Sequence, residues 1–335
     1  MYICYGGLKQ GFNEGCRPLI GLDGCHIKGV HPGQLLTVVA IDPNNQMYPF
    51  AFAVVEIENK DSWSWFVNLL KEDLKIENSL HWSFITDKQK GLEQALKGMW
   101  EDGIPEAEHR HCVRNLENDF IKVFRDKTLK TLMWKAARES TVRRFELVME
   151  EIKVLNEEAY KWLMDARPQH WSRSHFRTTP KCDILVNNMC EGFNGTKSIL
   201  AARDKPIFSM LERIRMYLME RLSKNRHSVV MWPSNIEPKV SEQLEKNKID
   251  AWGHLPTLSG NLIYQVENIH AIAAIWCNRE DPEKYVSKWY TKEYYMKAYS
   301  PQIYPLRNQD EWPRTGKVEL IKPVGKIQPG RPKKK

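Results

Sequence analysis

Asp23, Asp87 and Glu191 are the residues of this chain whose placement suits chemistry. Asp23 closes the apolar run Pro18-Leu19-Ile20-Gly21-Leu22 and is followed by Gly24. Asp87 closes Trp82-Ser83-Phe84-Ile85-Thr86. Glu191 falls in the first turn of a helix read from about Asn187 to about Ala202. Three carboxylates gathered by a sheet and an adjacent helix can hold two Mg²⁺ ions, because hard cations take oxygen ligands. Two ions ~3.5–4 Å apart activate an attacking oxygen and stabilise the leaving oxygen of a phosphodiester. Each acid also has a plain structural reading. Asp23-Gly24 can be an ordinary turn, Asp87 an N-cap for the next helix, and Glu191 a solvated helical acid. Spacings of 64 and then 104 residues do not choose between these readings.

The elements that would position these acids follow from periodicity. Residues 18–24, Leu35 to Ile41 and Tyr48 to Val55 read as three consecutive strands. Turn chemistry separates them, as in Asp42-Pro43-Asn44-Asn45. From Asp61-Ser62 the period becomes helical, with Trp65, Phe66, Leu69 and Leu70 as the stripe. A fourth strand ends at Asp87, and Lys90 to Trp100 is helical. Ala107 to Cys112 is a fifth strand, and a helix runs on to about Arg125. The order β-β-β-α-β-α-β-α predicts a mixed sheet covered by helices. Residues 127–180 have helical periodicity and almost no strand signal, which predicts an all-helical insertion. A long helix opened by Asp204 and Pro206 then carries Ile207, Leu211, Ile214, Leu218 and Leu222.

Composition sets the outer bounds. The 335 residues carry a net charge of +8, with 42% hydrophobic and 27% charged residues, enough apolar material for a core. The longest apolar run, Leu35 to Ile41, is far short of the ~20 residues a bilayer span needs, so no membrane role is expected. Seven widely spaced cysteines without a Cys-x-x-Cys pair read as free thiols. No motif for a small-molecule cofactor is found.

Three strings carry a resemblance. Pro18 to Gly29, Trp82 to Leu92, and Asn187 to Asn194 with Ala201 to Ile207 resemble the three catalytic blocks of the plant Mutator-like (MULE) transposases. The resemblance runs over about residues 1–316. It implies an RNase H-like mixed sheet with flanking helices and an all-helical insertion before the third acid. It also implies Asp23, Asp87 and Glu191 as catalytic ligands of Mg²⁺ (or Mn²⁺), DNA as partner, and action in the nucleus. A homo-oligomer is left open.

The chain departs from the family pattern in three places. Cys112 of the Cys-x-x-His signature is kept, but Asn115 stands where the His would be. Asn hydrogen-bonds but cannot share a proton near neutral pH. His111 and His109 are accessory candidates with an ordinary strand reading beside it. Second, the family's SWIM zinc finger is reduced to His270, with Asn268 in place of the last Cys. One His cannot make a tetrahedral zinc site, so zinc is expected to be absent. Third, the family's end-recognition domains are expected to be missing, since only 22 residues precede Asp23.

The expected organisation is a remnant of an N-terminal region (1–17), catalytic core (18–126), helical insertion (127–182) and closing core helices (183–226). A degenerate zinc-finger region (227–279), an aromatic-rich segment (280–316) and a disordered basic tail (317–335) follow. The aromatic segment reads either as a base-stacking platform or as packing onto the core. Two function classes result: a DDE transposase core, active or inactive, and a non-catalytic DNA-binding regulator similar to the far-red response regulators of plants.

The tail carries +6 of the net +8, including Arg331, Lys333, Lys334 and Lys335. Gly330-Arg331-Pro332 resembles the core of an AT-hook, which lies in narrow minor grooves; a solvated tail is the plain reading. Deleting Lys317–Lys335 is expected to weaken non-specific DNA binding. The salt slope of binding should flatten by about 0.9 for each phosphate the tail neutralises, measured by fluorescence anisotropy. Unchanged affinity at low salt would contradict this.

Overall fold

The computed structural model describes residues 1–28, 32–87, 89–100, 104–253, 257–260, 263–265 and 270–305. Strand β1 (Tyr2–Cys4) and helix α1 (Gly6–Gly15) open the chain. Strands β2 (Leu19–Ile27), β3 (Gly33–Ile41) and β4 (Met47–Val55) form an antiparallel meander. Helix α2 (Lys60–Leu74) leads to β5 (Ser83–Thr86), α3 (Lys90–Lys97), β6 (Glu108–His111) and α4 (Val113–Val123). The sheet order is β1-β4-β3-β2-β5-β6, with β2, β5 and β6 parallel. It is the RNase H-like mixed sheet expected from the resemblance. Every residue of Leu35–Ile41 is buried, so both faces of the sheet are covered.

The insertion is helical as expected: α5 (Lys127–Arg138), α6 (Val142–Leu155) and α7 (Glu157–Asp165). It shares a second apolar cluster with α4, where Val113, Leu116 and Phe120 join Leu129, Met133, Phe145, Val148, Ile152 and Trp171 among others. Leu147 is exposed and does not join that cluster. Helices α8 (Asn188–Asn194), α9 (Lys197–Ala202) and α10 (Ile207–Ser228) follow. The single helix expected over 187–202 is therefore two. The break falls at Gly195 and Thr196, whose hydroxyl caps α9. The chain continues with α11 (Pro238–Ala251), the hairpin β7 (Thr257–Gly260) and β8 (Ile263–Gln265), α12 (His270–Cys277) and α13 (Lys292–Tyr299).

Several expectations shift. Residues 1–17, expected outside the core, supply its edge strand and a packed helix: β1 pairs with β4, and Phe12 stacks on Phe50 at 4.2 Å. The buried stripe of α2 is Trp63, Phe66, Val67, Leu70 and Leu74, while Trp65 is exposed. Pro206, not Asp204, caps α10, and Ile207 is exposed. In the aromatic-rich segment, Tyr295 and Tyr299 are buried, which favours packing over base stacking at those two positions. The Tyr299 hydroxyl donates to the buried Asp42 carboxyl at 2.7 Å. Helix α13 meets α1 so closely that a Cβ on Gly11 would stand 2.1 Å from the Ala298 carbonyl. Among the described residues, no helix is long and apolar enough to cross a membrane, and all seven cysteines are free. The tail residues Arg331, Lys333, Lys334 and Lys335 lie outside the described residues, as does the His270 side chain.

Gly21 sets how close α8 comes to the sheet. A Cβ there would stand 2.6 Å from Met189 Cε, 2.7 Å from Asn187 Oδ1 and 2.9 Å from Cys190 Sγ. Gly21→Ala is therefore expected to cost about 1–3 kcal/mol by overpacking. Urea unfolding checks this, and an unchanged midpoint would show that α8 can yield at no cost.

Candidate active site

Asp23 and Asp87 are neighbours because of strand register. Strands β2 and β5 run parallel, with Leu22 opposite Thr86 as the last pair. Asp23 and Asp87 are the next residue on each. Adjacent strands lie ~4.7–4.9 Å apart, so the two acids leave the sheet side by side. Asp23 does not end its strand, however. Strand β2 continues to Ile27 on its other edge, where it pairs with β3 down to Gly33. The turn reading of Asp23-Gly24 therefore fails. The N-cap reading of Asp87 fails as well, since the Gln89 side chain caps α3 by accepting from Leu92 N.

Glu191 is exposed in the first turn of α8, and one of its carboxylate oxygens lies within 4.8 Å of a ligand atom of Asp87 and of Cys112 Sγ. Two asparagines pin α8 to the strand that carries Asp23. Asn187 Nδ2 donates to the Leu22 carbonyl at 3.0 Å, and Asn194 Nδ2 donates to Asp23 Oδ2 at 2.8 Å. The Gly24 N–H donates to Asp23 Oδ1 at 2.9 Å. Asp87 is thus the shared neighbour: Asp23 adjoins it along the strand pair, and Glu191 adjoins it from α8.

The accessory residues divide. Cys112 is fully buried, and its Sγ accepts from the Asn187 N–H at 3.4 Å. Burial pushes its thiol pKa up, so it is a neutral spacer between β6 and the start of α8. Asn115 donates a side-chain hydrogen bond to the Asp87 carboxyl. His111 groups with His109 and His170, apart from the acids.

Glu58, which no sequence pattern singles out, also borders the site. Its carboxyl would be 2.9 Å from a Cβ on Gly24, and its charge acts on Asp23. Trp63 Nε1 donates to it at 3.2 Å. It sits in the β4–α2 connection among other polar residues. A cavity of about 890 Å³ between the β3–β4 turn, α8 and α11 contains none of these acids.

Residues 19–119 match the family model of the MULE transposase domain. The chain carries a Mutator-like transposase domain. The match takes in Asp23, Glu58, Asp87, Cys112 and Asn115, and it stops before Glu191. No curated protein matches the chain.

The electrostatics of the transposase domain's acids ask for a counter-ion. Burial pushes Asp23 up to about 7, and the facing Asp87 charge adds to it; the bonds from Asn194 and Gly24 oppose. Asp87 is raised by burial, with the Asn115 bond opposing. Among the described residues, Asp87 Oδ1 is buried and has no hydrogen-bond partner. An oxygen-only acid set with an unsatisfied buried oxygen fits a hard divalent cation.

A pH dependence follows. Between the unfolded Asp value near 3.9 and about 7, the folded chain holds the Asp23 proton more tightly than the unfolded chain does. Metal-free stability is therefore expected to fall as pH rises through that window, and Asp23→Asn should flatten the fall. Thermal melts in a chelator at several pH values check this. An equal slope in the variant would contradict it.

Proposed function

We propose that this chain is the catalytic core of a DDE-type transposase that cleaves DNA phosphodiesters with Mg²⁺ or Mn²⁺. The observation that carries the reading is that Asp23 and Asp87 leave adjacent strands side by side while a Glu191 carboxylate oxygen on α8 comes within 4.8 Å of one of Asp87. Asp23, Asp87 and Glu191 would hold the ions, which supply activation of an attacking oxygen and stabilisation of the leaving one. The protein's own part is orientation. Asn194 and the Gly24 N–H fix the two oxygens of Asp23. Asn115 steadies Asp87, and Asn187 keeps α8 from sliding along the strand. The ionised form of Asp23 is the one that ligates, so metal loading rises as pH passes about 7. The attacking group would be water in the first cut and a 3′-hydroxyl in transfer to target DNA. Work on chromosomal DNA would place the protein in the nucleus.

Asn115 favours a second reading, DNA binding without cleavage. An amide in contact with Asp87 can donate a hydrogen bond but cannot take up or release a proton. In that reading the chain is a domesticated regulator that retains the fold.

Nicking of supercoiled plasmid separates the two. The transposase reading expects nicking with Mg²⁺ or Mn²⁺ that drops to background in Asp23→Asn and Asp87→Asn. DNA binding without nicking, equal in wild type and both variants, would overturn it in favour of the regulator.

A further inference from the structure

We propose that His109, His111 and His170 form a second metal site, one that takes a zinc-class transition-metal ion and ties the helical insertion to the sheet edge. The alternation of a strand puts His109 and His111 on the same face of β6. His170 ends the 3-10 turn Pro168–His170 that follows α7, and that turn packs on β6. One ligand nitrogen from each ring lies within 4.8 Å of the other two. Ring centroids are 4.8 Å apart for His109–His111, 4.8 Å for His111–His170 and 5.9 Å for His109–His170. The donor set is all imidazole nitrogen. That chemistry suits zinc and its neighbours and not Mg²⁺.

The hydrogen bonds of His170 and His109 leave one ring nitrogen of each with its lone pair. His170 Nδ1 lies 2.6 Å from the His109 carbonyl. A carbonyl only accepts, so Nδ1 carries the proton and Nε2 holds the lone pair. The Thr86 hydroxyl donates its proton to the Asp87 carbonyl at 2.9 Å. Its oxygen must therefore accept from His109 Nε2, 2.8 Å away, which leaves the lone pair on Nδ1. A second ring nitrogen held by a carbonyl or hydroxyl is the usual way a ligating His is oriented. Burial and the two neighbouring rings also hold His109 neutral. Zinc–nitrogen bonds of ~2.0–2.1 Å need nitrogens about 3.3–3.4 Å apart in a tetrahedron, which modest side-chain rotation reaches from the present spacing. The fourth position is left for water.

The ion would add a tie between the sheet and the insertion beside the apolar cluster that the insertion shares with α4. His109 and His111 belong to the sheet, and His170 belongs to the insertion. This donor set is distinct from residues 227–279, where the loss of cysteines led to the expectation of no zinc.

Co²⁺ titration of the full chain, stripped of metal with a chelator, tests the site, since tetrahedral Co²⁺ absorbs visible light. The expected result is a visible band that saturates at one Co²⁺ per chain and is lost on displacement by Zn²⁺, with Zn²⁺ raising the melting temperature. His170→Ala and His109→Gln, each shown folded by circular dichroism, should bind at least ~10-fold more weakly. Asp23→Asn and Asp87→Asn should leave the visible band and its midpoint unchanged, whatever Co²⁺ the carboxylates themselves take up. A folded wild-type chain with no visible band, or equal binding in His170→Ala, would overturn the proposal. Nicking is read separately, so failure here is distinguishable from failure of the transposase reading.

Discussion

The parallel register of β2 against β5 is the constraint on which the site depends. Leu22 opposite Thr86 is the last pair, and the next residue on each strand is an aspartate. Two carboxylates at that spacing repel, and burial deepens the penalty for both. A cation relieves it, as do the bonds that Asn194, Gly24 and Asn115 supply. The fold thus gives up stability to two half-buried acids that a plain structural role would not require.

The third acid depends on a different interaction. Helix α8 brings Glu191 to the pair only because Gly21 has no side chain and Asn187 bonds to the Leu22 carbonyl. The chain returns to this place after the whole insertion, so the insertion must itself be held. A buried ion pair does much of this. Arg110 donates to Glu108 Oε2 and to the Cys182 carbonyl, and it lies 4.1 Å over the Phe176 ring. Glu108 in turn accepts from Ser83 and from the Arg177 N–H. Removing one partner of such a pair strands a buried charge, at a cost of about 3–5 kcal/mol. His109 and His111 lie on the opposite face of the same strand, and with His170 they join the same two parts.

Much of this is legible in the sequence. The runs Leu19–Leu22 and Leu35–Ile41 mark strands, because short stretches this rich in apolar and β-branched residues, the second closed by Asp-Pro-Asn-Asn, have few other readings. Asp23, Asp87 and Glu191 stand at element tips, though the spacing alone leaves them ambiguous and the family resemblance chooses. Strand β1 and helix α1 escape a sequence reading because three residues and a glycine-rich helix carry little periodic signal; their order comes from β4 and α13. Glu58 and His170 escape it for a related reason. Each reaches its partners through tertiary folding, across 35 and 59 residues from Asp23 and His111 respectively, with no local pattern.

The central claim is that Asp23, Asp87 and Glu191 act together as one divalent-cation site. Calorimetric titration with Mn²⁺ above pH 7 tests it most directly, using wild type and the single variants Asp23→Asn, Asp87→Asn and Glu191→Gln. The account predicts saturable binding that each substitution weakens at least ~10-fold, equivalent to about 1.4 kcal/mol. Binding of equal strength in wild type and all three variants would contradict it.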